Sequence, residues 1–419
     1  MIRKMNPFEE KPKKIDETFE DWKQLYPKSY NKHEVDPYTK TRIILMNGTE
    51  YEAVFFKHQF SRLCNDNDLR RDLTLIRRGE QQQQKKISNL KPIDETILET
   101  TIAYEQLAVD LTAGIAKYEE NEDVKKALNF ALLEDFDHLY RYSDLLDMEG
   151  DIHAERLVGR YTEIMPGRPT ISHHRHPYDS VRRFVDYKTA QPITKLNIGI
   201  ITAAEQQTMN YYMNVSSFYT SDLGRRLYQE IGMVEEQHVT QYGNLMDPNC
   251  TYLEHLLMHE YTECYLYYSC FQDEKDPYIK SIWECSFEQE VAHLHKAAEL
   301  LKKYEGKEWQ QVIPEGAFPR LLNLGPNIDY VRKVLEETVR LTAQREDYAE
   351  VDNVPDDADF FKYQNTVNKD VEAVASHDVI EKYISKKGQD YRFQVAEHPI
   401  TELKDRTYDN TKVGRVKGK

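Results

Sequence analysis

The stretch LLEDFDHLYRYSDLLD, Leu132 to Asp147, decides how this chain is read. Its apolar residues recur at helical spacing. Yet an acid, Asp135, and a histidine three residues later, His138, share a face that ought to fill a core. The pattern returns twice more in register. In VEEQHVTQYGNLMD, Val234 to Asp247, 100 residues on, Glu235 stands at Asp135, His238 at His138, Tyr242 at Tyr142 and Asp247 at Asp147. Upstream, AYEQ and AAEQ place Glu105 on Glu205. A further shift of 55 residues sets Glu205 on Glu260, Glu235 on Glu290 and His238 on His293. Each copy is a glutamate, thirty residues, then acid-x-x-His. Acids are 72 and histidines 14 of the 419 residues, so a random register meets all three positions roughly once in a thousand.

Helix geometry turns the spacing into a site. Acid and histidine at i and i+3 lie one turn apart on one face. Thirty residues make about fifteen up, a short loop and fifteen down, which brings the lone glutamate level with them across a helical hairpin. Polar turns stand where this requires them, at Glu119–Glu122, Thr220–Gly224 and Asp273–Pro277. One hairpin offers two carboxylates and an imidazole. Two hairpins offer four carboxylates and two imidazoles, a ligand set for a dinuclear iron or manganese centre in a four-helix bundle. Four carboxylates facing one interior are costly to bury unless a cation compensates them.

The pattern resembles the ferritin-like superfamily of rubrerythrins, ferritins and bacterial di-iron oxygenases over about residues 95–304. Carried across, the resemblance makes Glu105, Asp135 and His138 ligands of hairpin one, Glu205, Glu235 and His238 of hairpin two, and Glu260, Glu290 and His293 of hairpin three. Asp135 is shorter than the usual glutamate. Glu263, one turn after Glu260, looks like the second of the paired glutamates of rubrerythrins. The implied cofactor is two iron ions, or manganese, with a second dinuclear site open. The implied activity is reduction of peroxide or O₂. Rubredoxin-type cysteines are missing, so an external electron donor protein is expected. The alternatives are a di-iron oxygenase or oxidase of an organic substrate, and a non-catalytic iron-handling or structural subunit.

Connection lengths constrain the pairing. The 67 residues from His138 to Glu205 permit a crossover that sets hairpins one and two antiparallel, whereas the 22 from His238 to Glu260 leave two and three parallel. Hairpin one is therefore read as pairing with two, leaving three unpaired or matched to its own copy across a dimer axis.

The expected fold is mainly α: a ferritin-like four-helix bundle with an additional helical hairpin, a small N-terminal β-hairpin and extended termini. The division is 1–92 (arm, β-hairpin and helix), 93–305 (hairpins 93–148, 195–247 and 251–304, crossover 149–194) and 306–419 (a helix from about Asp329 to Glu346, then a tail). Residues 1–40 are charged and read as an arm. The β-hairpin is read from Arg42 to Phe56, which alternates around Asn47-Gly48. A helix is expected from Asp66 to Leu90, its basic face at Arg70, Arg71, Arg77 and Arg78 solvated. Residues 351–419 are polar and read as a tail that wraps a partner or stays mobile.

Composition narrows the classes. Hydrophobic residues at 40% and charged residues at 31% describe a soluble globular chain. A net charge of −16 argues against a general nucleic-acid binder. No apolar run is long enough to span a membrane. The five cysteines lack a Cys-x-x-Cys pair and fit a reducing, cytoplasmic setting, with Cys264, Cys270 and Cys285 read as structural thiols. Tyr211, Tyr212, Tyr265, Tyr267 and Tyr268 follow the lone glutamates and are read as core, with electron relay the alternative. His173, His174 and His176 are read as a surface loop. A homo-oligomer, such as a dimer, is expected.

Overall fold

The computed structural model describes residues 4–370, 373–388, 390–394 and 397–403. In chain order its helices are α1 (Pro37–Leu63), α2 (Asn67–Ser88), α3 (Ile97–Ala116), α4 (Glu122–Gly150), α5 (Thr170–His173) and α6 (Pro192–Val215). Then come α7 (Asp222–Gly243), α8 (Tyr252–Asp273), α9 (Pro277–Glu305), α10 (Ile328–Thr338), α11 (Asp359–Val367) and α12 (Ala375–Lys387). Two strands, β1 (Leu341–Gln344) and β2 (Asp347–Glu350), pair antiparallel with Leu341 opposite Glu350. The molecule is mainly helical, with one small sheet among the described residues.

The chain divides into two compact units, each assembled from three separate segments. The first comprises Met1–Glu95, Phe184–Gln207 and Met246–Leu324; the second comprises Thr96–Arg183, Thr208–Leu245 and Gly325–Lys419. This differs from a division at residues 92 and 305, because packing groups hairpins that are distant in sequence. Helix α6 contributes residues to both units.

In the first unit, α1 and α2 form one hairpin and α8 and α9 another, with α1 lying against α8 and α2 against α9. Local signals define these helices. Asp36 caps α1 by accepting from Tyr38 N, with Pro37 at the first position. Asp66 accepts from Asp68 N and Leu69 N at the start of α2. Thr251 and Glu254 form a capping box on α8. Asp276 and Pro277 open α9, which ends at Gly306 with φ +67°. Leu45, Met46, Leu73, Ile76, Leu256, Leu257, Trp283 and Leu300 are fully buried.

The expected β-hairpin at Arg42–Phe56 is instead the middle of α1. Tyr38, Arg42, Leu45, Thr49, Ala53, Lys57 and Phe60 are buried at steps of three and four, a helical period that outweighs the local alternation. Asn47-Gly48 is not a turn. Gly48 lies where helices meet, and a Cβ there would stand 2.8 Å from Gln207 Cβ and 3.2 Å from the Ala203 carbonyl oxygen. The only sheet among the described residues comes much later in the sequence, at 341–350, where Arg345 turns the chain at φ +55°.

In the second unit, α3 and α4 form a hairpin, α4 packs on α7, and α12 packs on both α4 and α7. Thr96 and Glu99 form the capping box of α3, and Asn121 caps α4. Every residue of α4 from Phe130 to Met148 is buried. The described residues between 351 and 403 are therefore no loose tail: Val351, Val354, Phe360 and Phe361 form a small core with Ile171, and Val379, Ile380 and Tyr383 of α12 are buried. Residues 404–419 of the expected tail lie outside the described residues. Helix α10 ends at Thr338 rather than near Glu346, since β1 begins at Leu341. No described helix is long and apolar enough to cross a membrane.

The packing at residue 48 yields a test. Gly48→Ala gains about 1 kcal/mol of helix propensity, but forces a methyl against Gln207 at a cost of about 1–3 kcal/mol. The expected outcome in urea unfolding is net destabilisation; a stabilised variant would contradict the close approach.

Candidate metal centre

The hairpin-one residues and the α7 residues meet inside the second unit. Glu105 lies on α3, Asp135 and His138 on α4, and Glu235 and His238 on α7, all of them buried. One ligand atom from each of Asp135, Glu235 and His238 falls within 4.8 Å of the others, and the same holds for Glu105, His138 and Glu235. The two groups share Glu235. His138 Nδ1 lies 3.0 Å from Glu235 Oε1. His238 Nδ1 lies 3.2 Å from Glu235 Oε2 and 3.3 Å from Asp135 Oδ1. Glu205 is buried on α6, two turns before Tyr212 and on the same face of that helix.

The far nitrogen of His238 is held from outside. His238 Nε2 donates to Glu134 Oε2 at 2.7 Å, and the other oxygen of Glu134 accepts from Arg175, with Arg168 Nε at 3.7 Å. A carboxylate behind an imidazole fixes its tautomer and turns the remaining nitrogen inward. Burial alone would raise the Glu134 carboxyl, but the Arg175 guanidinium and the His238 hydrogen bond outweigh it and hold the group down to about 2. Glu235 is likewise held well below the usual carboxylate range: burial opposes, and the neighbouring His138 and His238 imidazoles prevail. Asp135 is raised, because burial exceeds the attraction of His238.

These donors fit a pair of hard divalent cations. With its Nε2–H committed to Glu134, His238 turns Nδ1 onto two carboxylates. Asp135 Oδ2 and His138 Nε2 are buried without a hydrogen-bond partner. Each ligand group has an imidazole, and oxygen donors predominate, a donor set that suits iron or manganese. On the Glu105 side, the Tyr212 hydroxyl donates to Oε1 at 2.6 Å, and the Tyr142 and Tyr228 rings lie 5.2 and 5.6 Å from Tyr212.

The hairpin-three residues belong to the first unit, where α8 and α9 pair with α1 and α2 rather than remaining single. Glu260 and Glu263 on α8 and Glu290 and His293 on α9 are fully buried. Glu260, Glu263 and Glu290 bring oxygens within 4.8 Å of one another, and Glu80, Glu260 and His293 form a second such group. His293 Nε2 faces α2 so closely that a Cβ at Gly79 would stand 2.7 Å from it.

Sequence reasoning found the helix α2 but missed α1 and the place of both in the repeat, although the signal was present. Glu50 and Glu80 are thirty residues apart, and Gln83 stands where a histidine would complete the copy. It also missed Glu134, Arg168 and Arg175, because their partnership depends on the fold of the long connection. His173, read as a loop residue, is buried on α5 with its ring centroid 5.4 Å from that of His138. Cys264 and Cys270 are buried free thiols, as expected, and Cys285 is half-buried. Tyr212, Tyr265 and Tyr267 are core residues. Arg70, Arg71 and Arg78 are exposed, as a solvated face requires.

Removing Glu134 should be severe even without metal. Glu134→Ala leaves the buried Arg175 and Arg168 guanidinium groups without their shared carboxylate, a loss of about 3–5 kcal/mol. Thermal unfolding of the chelator-treated protein measures it, and a loss under about 1 kcal/mol would contradict this electrostatic role. No family model, curated protein or solved structure matches the chain. The chemistry therefore rests on the geometry.

Proposed function

We propose that the second unit holds a carboxylate-bridged pair of iron ions, with manganese the alternative metal, in a ferritin-like four-helix arrangement. We further propose that the protein reduces peroxide or O₂ with electrons from an external donor protein. The observation that carries this reading is the sharing of Glu235 by two ligand groups, each with its own histidine. A single bridging carboxylate with an imidazole on either side is what a dinuclear centre requires of a bundle interior. Glu105 and His138 would hold one ion, Asp135 and His238 the other, and Glu235 both.

When bound, the two ions supply and recover the electrons that reduce the oxidant. The chain's own residues do the rest. Glu134 holds His238 Nε2–H, so that Nδ1 is the donor. Tyr212 holds Glu105 by a hydroxyl hydrogen bond. Tyr142, Tyr212 and Tyr228 close that end of the site with rings that are fully buried. A closed, carboxylate-rich, tyrosine-lined interior favours a small oxidant such as peroxide over a bulky organic substrate.

Two variants test the assignment. Glu235→Gln should lose both ions of the pair together and abolish peroxide consumption in a reductant-coupled assay. Retention of either ion would sink the shared-ligand reading. Glu134→Gln keeps the shape and removes the charge behind His238. It should weaken metal affinity by about 10–100-fold in competition with a chelator, and unchanged affinity would remove Glu134 from the centre.

A further inference from the structure

The first unit repeats the spacing of the second with two changes that bear on how many ions it can hold. Its copies are Glu50, Glu80, Gln83 on α1 and α2, and Glu260, Glu290, His293 on α8 and α9. Gln83 replaces one imidazole, and its Nε2 donates to Glu290 Oε1 at 2.7 Å. Lys57, on the face of α1 that carries Glu50, is fully buried and turns its ammonium inward. Nζ is in contact with Glu80 and lies 2.8 Å from Glu260 Oε1.

Two ligand groups share Glu260, as two share Glu235 in the other unit. Lys57 engages two of the three members of the group formed by Glu80, Glu260 and His293. An ammonium therefore stands where that group would hold a metal ion. In the other group, Glu260, Glu263 and Glu290, the ammonium pairs with Glu260 alone. Glu263 is fully buried, and neither of its oxygens has a hydrogen-bond partner. Glu290 Oε2 is also buried without one. Five buried carboxylates (Glu50, Glu80, Glu260, Glu263 and Glu290) face one lysine and one histidine, and two positive side chains do not compensate that many acids in an interior.

We propose that the α1–α2–α8–α9 unit binds a single divalent ion of the Mn²⁺ or Fe²⁺ class through Glu260, Glu263 and Glu290, and that Lys57 is a built-in cation replacing the second metal. This stands independently of the function proposed for the other unit. Carboxylate oxygen donors select a hard divalent ion. A lysine cannot change oxidation state, so this half holds one metal and is excluded from two-metal chemistry. One chain would then carry a coupled pair and one isolated ion.

The test uses the intact chain loaded with Mn²⁺ after chelation, read by elemental analysis and electron paramagnetic resonance. An isolated Mn²⁺ shows resolved hyperfine structure, whereas a carboxylate-bridged pair is exchange-coupled and spectrally distinct. The wild-type chain should show one isolated ion. Glu263→Gln, nearly isosteric and less acidic, should lose that ion alone, and Lys57→Met should admit one more and convert the isolated signal into a coupled one. The proposal is overturned if Glu263→Gln keeps the isolated ion, if the wild-type unit already holds a coupled pair, or if a folded Lys57→Met gains nothing. Should Lys57→Met not fold, Glu263→Gln decides the matter. Loss of a coupled signal in Glu235→Gln reports on the other unit, so an isolated ion without any coupled pair would defeat the function proposed above and leave this inference intact.

Discussion

Buried carboxylate is the constraint from which the rest of the second unit follows. Helix α4 is buried on every side from Phe130 to Met148, and that run includes Glu134, Asp135, Asp137, Asp144 and Asp147. An uncompensated charge in such a place costs several kcal/mol even after relaxation. The chain answers most of them with partners from distant segments. Glu134 takes Arg175 and Arg168 from the long connection, and Asp137 takes Arg141 together with the Gly167 amide at 2.8 Å. Asp144 takes Arg392 from the C-terminal segment, although burial still raises its carboxyl to about 8. What these cations leave is the inward face, where Glu105, Asp135 and Glu235 meet two imidazoles.

That division of labour explains segments that look dispensable in one dimension. The connection from 151 to 191 carries little regular structure, yet it delivers Arg168, His173 and Arg175 to the buried acids of α4. Gly167 is confined for the same reason: a Cβ there would stand 2.5 Å from the Leu133 carbonyl oxygen and 2.9 Å from Asp137 N. The C-terminal segment brings α12 against α4 and α7, where the Tyr383 hydroxyl donates to Asp147 Oδ2 at 3.0 Å.

The first unit meets the same electrostatic problem with a covalent cation. Lys57 lies between Glu80 and Glu260, and its ammonium is held charged against burial by Glu260 and Glu80. Burial still pushes the Glu80 carboxyl up to about 8 in spite of that lysine, and it drives Glu263 well above its ordinary range. His293 is raised to about 9, since the carboxylates around it, Glu290 first, outweigh the cost of burying its charge. Two bundle interiors built on one spacing thus differ in how their charge is balanced.

The periodic features were legible in the sequence, because helix geometry converts residue spacing directly into shared faces. The thirty-residue interval marked the hairpins α3–α4 and α8–α9, their turns, and the inward faces that bury Glu105, Asp135, His138, Glu235, His238, Glu260, Glu290 and His293. Local alternation around Asn47-Gly48 misled, since a short pattern carries no information about the partner helices that bury Leu45, Thr49 and Ala53. The copy that ends in Gln83 lacks the histidine that marks the other three. Only the tertiary structure decided that α1–α2 is the partner of α8–α9, and that Arg175 stands behind Glu134 while Lys57 stands between Glu80 and Glu260. The physical reason is that a period specifies which face of a helix is buried, whereas the identity of what covers that face depends on contacts between segments two hundred or more residues apart, such as Lys57 and Glu260.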